Sequence, residues 1–433
     1  MSSEPISPSL LLTLAFAAFL LAGLAVKFWL ASRQMRHVAL HRNTVPEAFA
    51  ATVGLQAHQK AADYTLAKSR FGLLETAFGA AVLLGWTLLG GLDALNQWLL
   101  SLVGPGMWQQ LALLASFVVI GSLIELPFTL YQTFVIEQRF GFNRMTARLW
   151  LADLVRSTLV GAAIGLPIAA LILWLMGAAG SLWWLWAWGA WTAFNLVLML
   201  VYPTCIAPLF NRFKPLDDEA LRARVTALMQ RCGFAAKGLF VMDGSRRSAH
   251  ANAYFTGFGA SKRVVFYDTL LARLAPGEVD AVLAHELGHF AHRHIIKRMA
   301  SLFALSLAGF ALLGWLSSQV WFYTGLGVRP NLEAVSGVAA PNDALALLLF
   351  LLAVPVFSFF VAPLFAQLSR RHEFEADAYA VARTSGADLS SALLKLYEDN
   401  ASTLTPDPLY VKFYYSHPPA TERLARMTQG AAA

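Results

Sequence analysis

Cysteine is nearly missing: Cys205 and Cys232 stand far apart, with no Cys-x-x-Cys pair, which excludes a disulfide framework and a thiolate metal site. Both read as small buried hydrophobes. Charge is scarce as well. Only 14% of residues are Asp, Glu, Lys or Arg, against 57% hydrophobic, and that balance excludes an ordinary soluble domain. No Gly-x-x-x-x-Gly-Lys-Ser/Thr phosphate loop is present, so no ATP requirement is expected. The formal charge of +7 comes without a nucleic-acid-binding motif, and in so apolar a chain basic residues flank membrane spans; no nucleic-acid partner is expected. Fixed-period repeats are absent, and so are the two related halves that mark many transporters, which argues against a transporter or metal-binding scaffold. The N-terminus carries Glu4 where a signal peptide has basic residues, so the first apolar run is read as a retained span.

What the chain does hold is apolar runs. A helix needs about 20 mostly apolar residues to cross a bilayer. Seven stretches qualify: Leu10 to Leu30, Phe71 to Leu92, Leu111 to Val135, Leu159 to Met176, Leu182 to Ile206, Ala300 to Tyr323 and Leu345 to Leu368. Arg33, Arg36, Arg42, Lys60, Lys68 and Arg70 fill the first loop and Arg139, Arg144 and Arg148 the third, so these loops are expected on the cytoplasmic side and the N-terminus outside. Glu75 and Glu125 fall within spans and are expected to face water or a partner such as Arg70, or to snorkel to the interface. Gly161-x-x-x-Gly165 suggests close helix packing.

The expected organisation is a mainly α, polytopic membrane protein: spans one to five with their loops (1–210), a soluble segment (211–298), spans six and seven (299–368) and a C-terminal soluble segment (369–433). Within the first soluble segment, strand-like runs occur at Gly238 to Met242 and Arg263 to Tyr267, followed by a helix starting after Pro276-Gly-Glu278.

That helix carries His285-Glu286-Leu-Gly-His289. Residues four apart share a helix face, so two imidazoles project together and suit one Zn²⁺ ion per chain. Glu286 sits where a carboxylate takes the proton from an attacking water. A catalytic zinc takes a third protein ligand. His292 is too close in sequence to complete the set from the same helix. The better source is Glu373-Phe-Glu375-Ala-Asp377, just past the last span, where Glu373 and Asp377 share a face and Glu375 points elsewhere. One of the pair binds the metal and the other accepts the free ring N–H of a ligating His.

Together with Ile136-Glu-Gln-Arg-Phe-Gly-Phe-Asn143, Tyr202-Pro-Thr-Cys-Ile-Ala-Pro-Leu-Phe210, Asp243 to Phe255 and Ser416-His417-Pro-Pro419, these motifs resemble the type I CAAX prenyl endopeptidases, integral membrane zinc proteases of the gluzincin kind. The resemblance implies seven membrane helices in a barrel around a water-filled chamber, closed on the cytoplasmic side by a zinc protease domain with a small β-sheet. It assigns Glu373 as third ligand, Asp377 as its outer partner, Asn252 to an edge strand that aligns the substrate backbone, and His417 to a position near the zinc as an oxyanion donor. The expected function is zinc-dependent endopeptidase cleavage of a peptide or protein substrate, with a lipidated C-terminus as one candidate form, among membrane lipids. The alternative is an ATP-independent quality-control protease of the membrane heat-shock type. Composition and short loops suggest a bacterial inner membrane, with the active site facing the cytoplasm.

Overall fold

The computed structural model describes residues 6–234, 238–256, 263–332 and 340–430. Six of its helices are long and apolar enough to cross a membrane, and a bent pair makes a seventh span when counted together. The longer helices are α1 (Pro8–His41), α2 (Leu55–Trp86), α3 (Gly91–Val103), α4 (Met107–Tyr131), α5 (Ala147–Ala178), α6 (Trp183–Val201), α7 (Glu219–Arg231), α8 (Pro276–Ala291), α9 (His294–Leu316), α10 (Asp343–Ser358), α11 (Ala362–Val381), α12 (Gly386–Asp399), α13 (Pro408–Tyr414) and α14 (Ala420–Gly430). Large apolar side chains stand outward along the spans, Leu21 66%, Leu123 62% and Leu159 64% exposed, as lipid-facing residues do. This is a multi-pass integral membrane protein.

The second span departs from the expected Phe71 to Leu92. Its helix stops at Trp86, Gly90 takes a left-handed φ of 78°, and the chain bends by 47° into α3. Only glycine takes that conformation at no steric cost. The Gly161-x-x-x-Gly165 stripe meets no neighbour, since a Cβ at either glycine would touch nothing within 4 Å. Glu75 lines a cavity with Lys27 and Thr76, whereas Glu125 is exposed, and among the described residues neither forms an ion pair with Arg70. The cysteines are not buried: Cys205 is exposed and Cys232 half-buried, because Cys205 sits in the outward-facing turn that ends the fifth span.

Four strands form one sheet in the order β1-β2-β4-β3: β1 (Phe213–Pro215), β2 (Gly238–Met242), β3 (Ala253–Thr256) and β4 (Arg263–Tyr267). β2 and β4 run parallel, β1 and β3 pair antiparallel with them, and β3 is an edge. Val264 and Phe266 of β4 pack against α7, the apolar face of α8 (Leu283, Ala284, Leu287), and residues of α11, α12 and α14. That core fixes α8 so that its polar face looks away from the sheet's apolar side.

Two polar ties and one ring stack join this body to the spans. Arg33 of α1 donates to Asp407, the N-cap of α13, at 2.9 Å. Arg247 makes a two-pronged pair with Asp153 of α5 at 2.9 and 3.1 Å. Tyr64 of α2 donates to Glu137 at 2.7 Å, and His250 stacks on Phe142 at 4.5 Å. The two motif segments containing Glu137 and His250 are therefore neighbours in space, joined by an Asn143–Ser248 bridge.

Candidate metal centre and active site

Helix α8 begins with Pro276 at its first turn, where the missing N–H costs nothing. The Glu278 carboxylate accepts from the Ala275 N–H at 2.7 Å and is held by Lys395 at 2.7 Å and by Ser391, which anchors the helix start to α12. About two turns further on, His285 and His289 project together, their Nε2 atoms 3.3 Å apart.

The facing helix is α11. It runs on from α10 to make 39 residues of nearly continuous helix, close to 60 Å at 1.5 Å per residue, about twice the apolar bilayer core. Its last turns therefore stand clear of the lipid and lie against α8. Gly288 permits this: a Cβ there would fall 2.9 Å from the Cα of Ala376. Across this tight seam Glu373 reaches the pair, Oε2 lying 3.4 Å from His285 Nε2 and Oε1 3.4 Å from His289 Nε2. Ligand atoms of His285, His289 and Glu373 all fall within 4.8 Å of one another. Glu373 is only 5% exposed and its Oε2 is buried without a hydrogen-bond partner, so it is not on a solvated helix face. A buried, unpartnered carboxylate oxygen beside two imidazole nitrogens is the donor set a divalent ion satisfies.

Asp377, one turn beyond Glu373, accepts a hydrogen bond from His285 Nδ1 at 2.8 Å. Its other oxygen accepts from Arg423 Nε of α14 at 2.8 Å. Burial alone would lower the pKa of His285, but the hydrogen bond from its ring to Asp377 and the close Glu373 carboxylate outweigh burial and push it up to about 9 in the metal-free protein. Burial pushes Glu286 up, with the nearby Glu373 charge adding to the effect and the imidazoles opposing it.

Glu286, His417, Asn252 and Arg423 line one cleft of about 300 Å³ together with His285 and Glu373. It adjoins a larger cavity of about 870 Å³ that shares Asn252, His417 and Arg423 and is walled by Tyr64, Tyr410 and Tyr415. His417 lies in the turn between α13 and α14, its side chain 63% exposed, Nε2 3.4 Å from Glu373 Oε1. Asn252 precedes β3 rather than lying on it. Its carbonyl accepts from the Tyr267 N–H at 3.0 Å and its Oδ1 from the Ala253 N–H at 2.8 Å, which fixes the foot of the edge strand.

Sequence reasoning missed Arg423 and His294. Arg423 is 46 residues from Asp377, and only the charge count of two buried carboxylates demanded a cation there. His294 was passed over because it lies outside the His-Glu-x-x-His spacing, yet its Nδ1 is 3.0 Å from Nδ1 of His289.

Residues 215–431 match the description of Peptidase family M48, and residues 34–212 match the CAAX prenyl protease N-terminal region of five membrane helices. The molecule is thus a membrane-embedded metalloendopeptidase. The CAAX prenyl protease 1 homolog of Arabidopsis thaliana is 35% identical, over 89% of this chain and 91% of that one. The human CAAX prenyl protease 1 homolog is 31% identical over 94% of both chains. The crystal structure of S. mikatae Ste24p superposes with a TM-score of 0.89 at 29% identity, covering 98% of this chain and all of that one. The chain belongs to peptidase family M48, with the membrane-helical N-terminal region of the CAAX prenyl proteases.

Proposed function

We propose that this protein is a zinc endopeptidase whose ion is held by His285, His289 and Glu373, and that it cuts near the C-terminus of prenylated proteins, the substrate class named by its relatives. One observation carries the metal assignment. Ligand bonds of about 2.0–2.1 Å in a tetrahedral zinc site imply ligand atoms separated by about 3.3–3.4 Å. The imidazole nitrogens here are 3.3 Å apart, and each lies 3.4 Å from one of the two Glu373 oxygens, His285 from Oε2 and His289 from Oε1.

When bound, the ion supplies Lewis-acid polarisation of the scissile carbonyl and lowers the pKa of a water. Glu286 takes the proton from the attacking water and hands it to the leaving amine; burial raises its pKa and so strengthens it as the base for that transfer. Asp377, clamped by Arg423, holds the His285 ring with its Nε2 lone pair toward the ion. His417, on the open rim of the cleft, donates to the developing oxyanion. Asn252 steadies the foot of β3, whose free edge takes an extended peptide by strand addition.

The proposed organisation keeps the soluble protease body in residues 211–298 and 369–433, between and after the spans. Basic first and third loops favour a site on the cytoplasmic face, and the composition favours a bacterial inner membrane. Cleavage of matched prenylated and unprenylated C-terminal peptides by the purified protein tests the substrate class, with Glu286→Gln as the control. Equal kcat/KM for the two peptides contradicts prenyl recognition; cleavage by the control contradicts the mechanism.

A further inference from the structure

Beside the metal centre a second group, His292, His294 and Glu375, brings ligand atoms within 4.8 Å of one another. Its position follows from one backbone feature. After α8 ends, Arg293 takes a left-handed φ of 56°, which breaks the helix, and α9 begins at His294, whose ring meets that of His289. His294 is 4% exposed. One ring nitrogen, Nδ1, lies 3.0 Å from His289 Nδ1; the other, Nε2, lies 2.9 Å from Glu375 Oε2. Glu375 is steadied from the far side by Arg371 Nε at 3.0 Å.

The protons on this chain of atoms follow from donor and acceptor chemistry. An ionised carboxylate can only accept, so His294 Nε2 carries the hydrogen. A neutral imidazole holds one N–H, so His294 Nδ1 is a lone pair. His289 Nδ1 must then be the donor. Its Nε2 is left as a lone pair, and that is the atom facing His285 and Glu373. With both His294 nitrogens committed, a cation bound among His292, His294 and Glu375 would have to strip the Nε2 proton and break the chain.

We propose that His294 and Glu375 are positioning residues that fix the tautomer and ring direction of His289, as Asp377 does for His285. The two metal-facing imidazoles are thus oriented by different devices: a carboxylate clamped by arginine on one side, a histidine backed by a carboxylate on the other. The inference rests on the reading of His289 as a metal ligand.

The test uses the full-length, detergent-purified protein, with zinc content and zinc release to a competing chelator as readouts. His294→Ala is expected to weaken zinc about 10–100-fold. Glu375→Leu is expected to do the same, whereas Glu375→Gln, whose amide oxygen still accepts, stays near wild type. The double variant His294→Ala/Glu375→Leu is expected to be no worse than His294→Ala alone, a non-additivity that two independent structural losses do not give. His289→Ala serves as reference. If it loses zinc while His294→Ala binds like wild type, the positioning role is overturned and the parent reading stands; if it keeps zinc, the parent reading fails. Additive effects, or a second zinc per chain that Glu375→Leu removes, also overturn the proposal.

Discussion

The backbone of Ala376 passes so close to Gly288 that a Cβ on the glycine would lie 2.9 Å from the Cα of Ala376 and 3.1 Å from its carbonyl oxygen. Ala376 stands between Glu373 and Asp377, the two carboxylates that meet the imidazoles of α8. The seam between α8 and α11 thus sets the distance across the metal centre, and it has no slack. Gly288→Ala is expected to push the helices apart and lower kcat/KM about 100-fold, the cost of misplacement on the order of 1 Å. Steady-state cleavage of a peptide, together with zinc content, checks this; wild-type turnover means that the seam does not set the site.

Removing the proton acceptor separates binding from chemistry. Glu286→Gln keeps the cleft's shape and is expected to retain the metal while kcat falls by about 10²–10⁴. Metal analysis and turnover on the same preparation measure both.

Arg423 is 7% exposed and compensates the buried Asp377. Arg423→Met leaves that carboxylate with the His285 ring as its remaining partner and without its arginine, at a cost of up to about 3–5 kcal/mol. A clear fall in the thermal unfolding midpoint, with zinc more readily lost, is the expected result. Unchanged stability would mean that Asp377 is neutralised some other way.

Acid affects the site through two groups. His285 is raised to about 9 in the metal-free protein, so at neutral pH the proton and the ion compete for the same nitrogen. Zinc uptake between about pH 7 and 8 is therefore expected to release close to one proton, and apparent affinity to rise about tenfold per pH unit until the metal-free ring itself deprotonates. Calorimetric titration in buffers of different ionisation enthalpy counts that proton. The second group is Glu286, which burial raises in the metal-free protein: once protonated it cannot accept the proton of the attacking water, so activity is lost as pH falls through its pKa.

Much of this was legible because it depends on local spacing. His285 and His289 had to share a face at i, i+4, and strand-like runs marked β2 and β4 at the residues where they are found. Apolar length located the spans but not their breaks. The end of α2 is set by a left-handed Gly90 that hydropathy does not register. The supporting contacts were least legible: Arg423 meets Asp377 across 46 residues, and His294 reaches His289 across the helix break at the left-handed Arg293. Such contacts belong to the tertiary arrangement, and no short-range period encodes them.

The most direct measurement is the zinc coordination shell, by X-ray absorption on the purified full-length protein and on its Glu373→Ala variant. One zinc per chain bound by two imidazoles and a carboxylate oxygen, without sulfur, and with affinity sharply reduced in the variant, is what the account predicts. A shell containing sulfur or a single imidazole, or a variant that binds zinc as tightly as the parent, would contradict it.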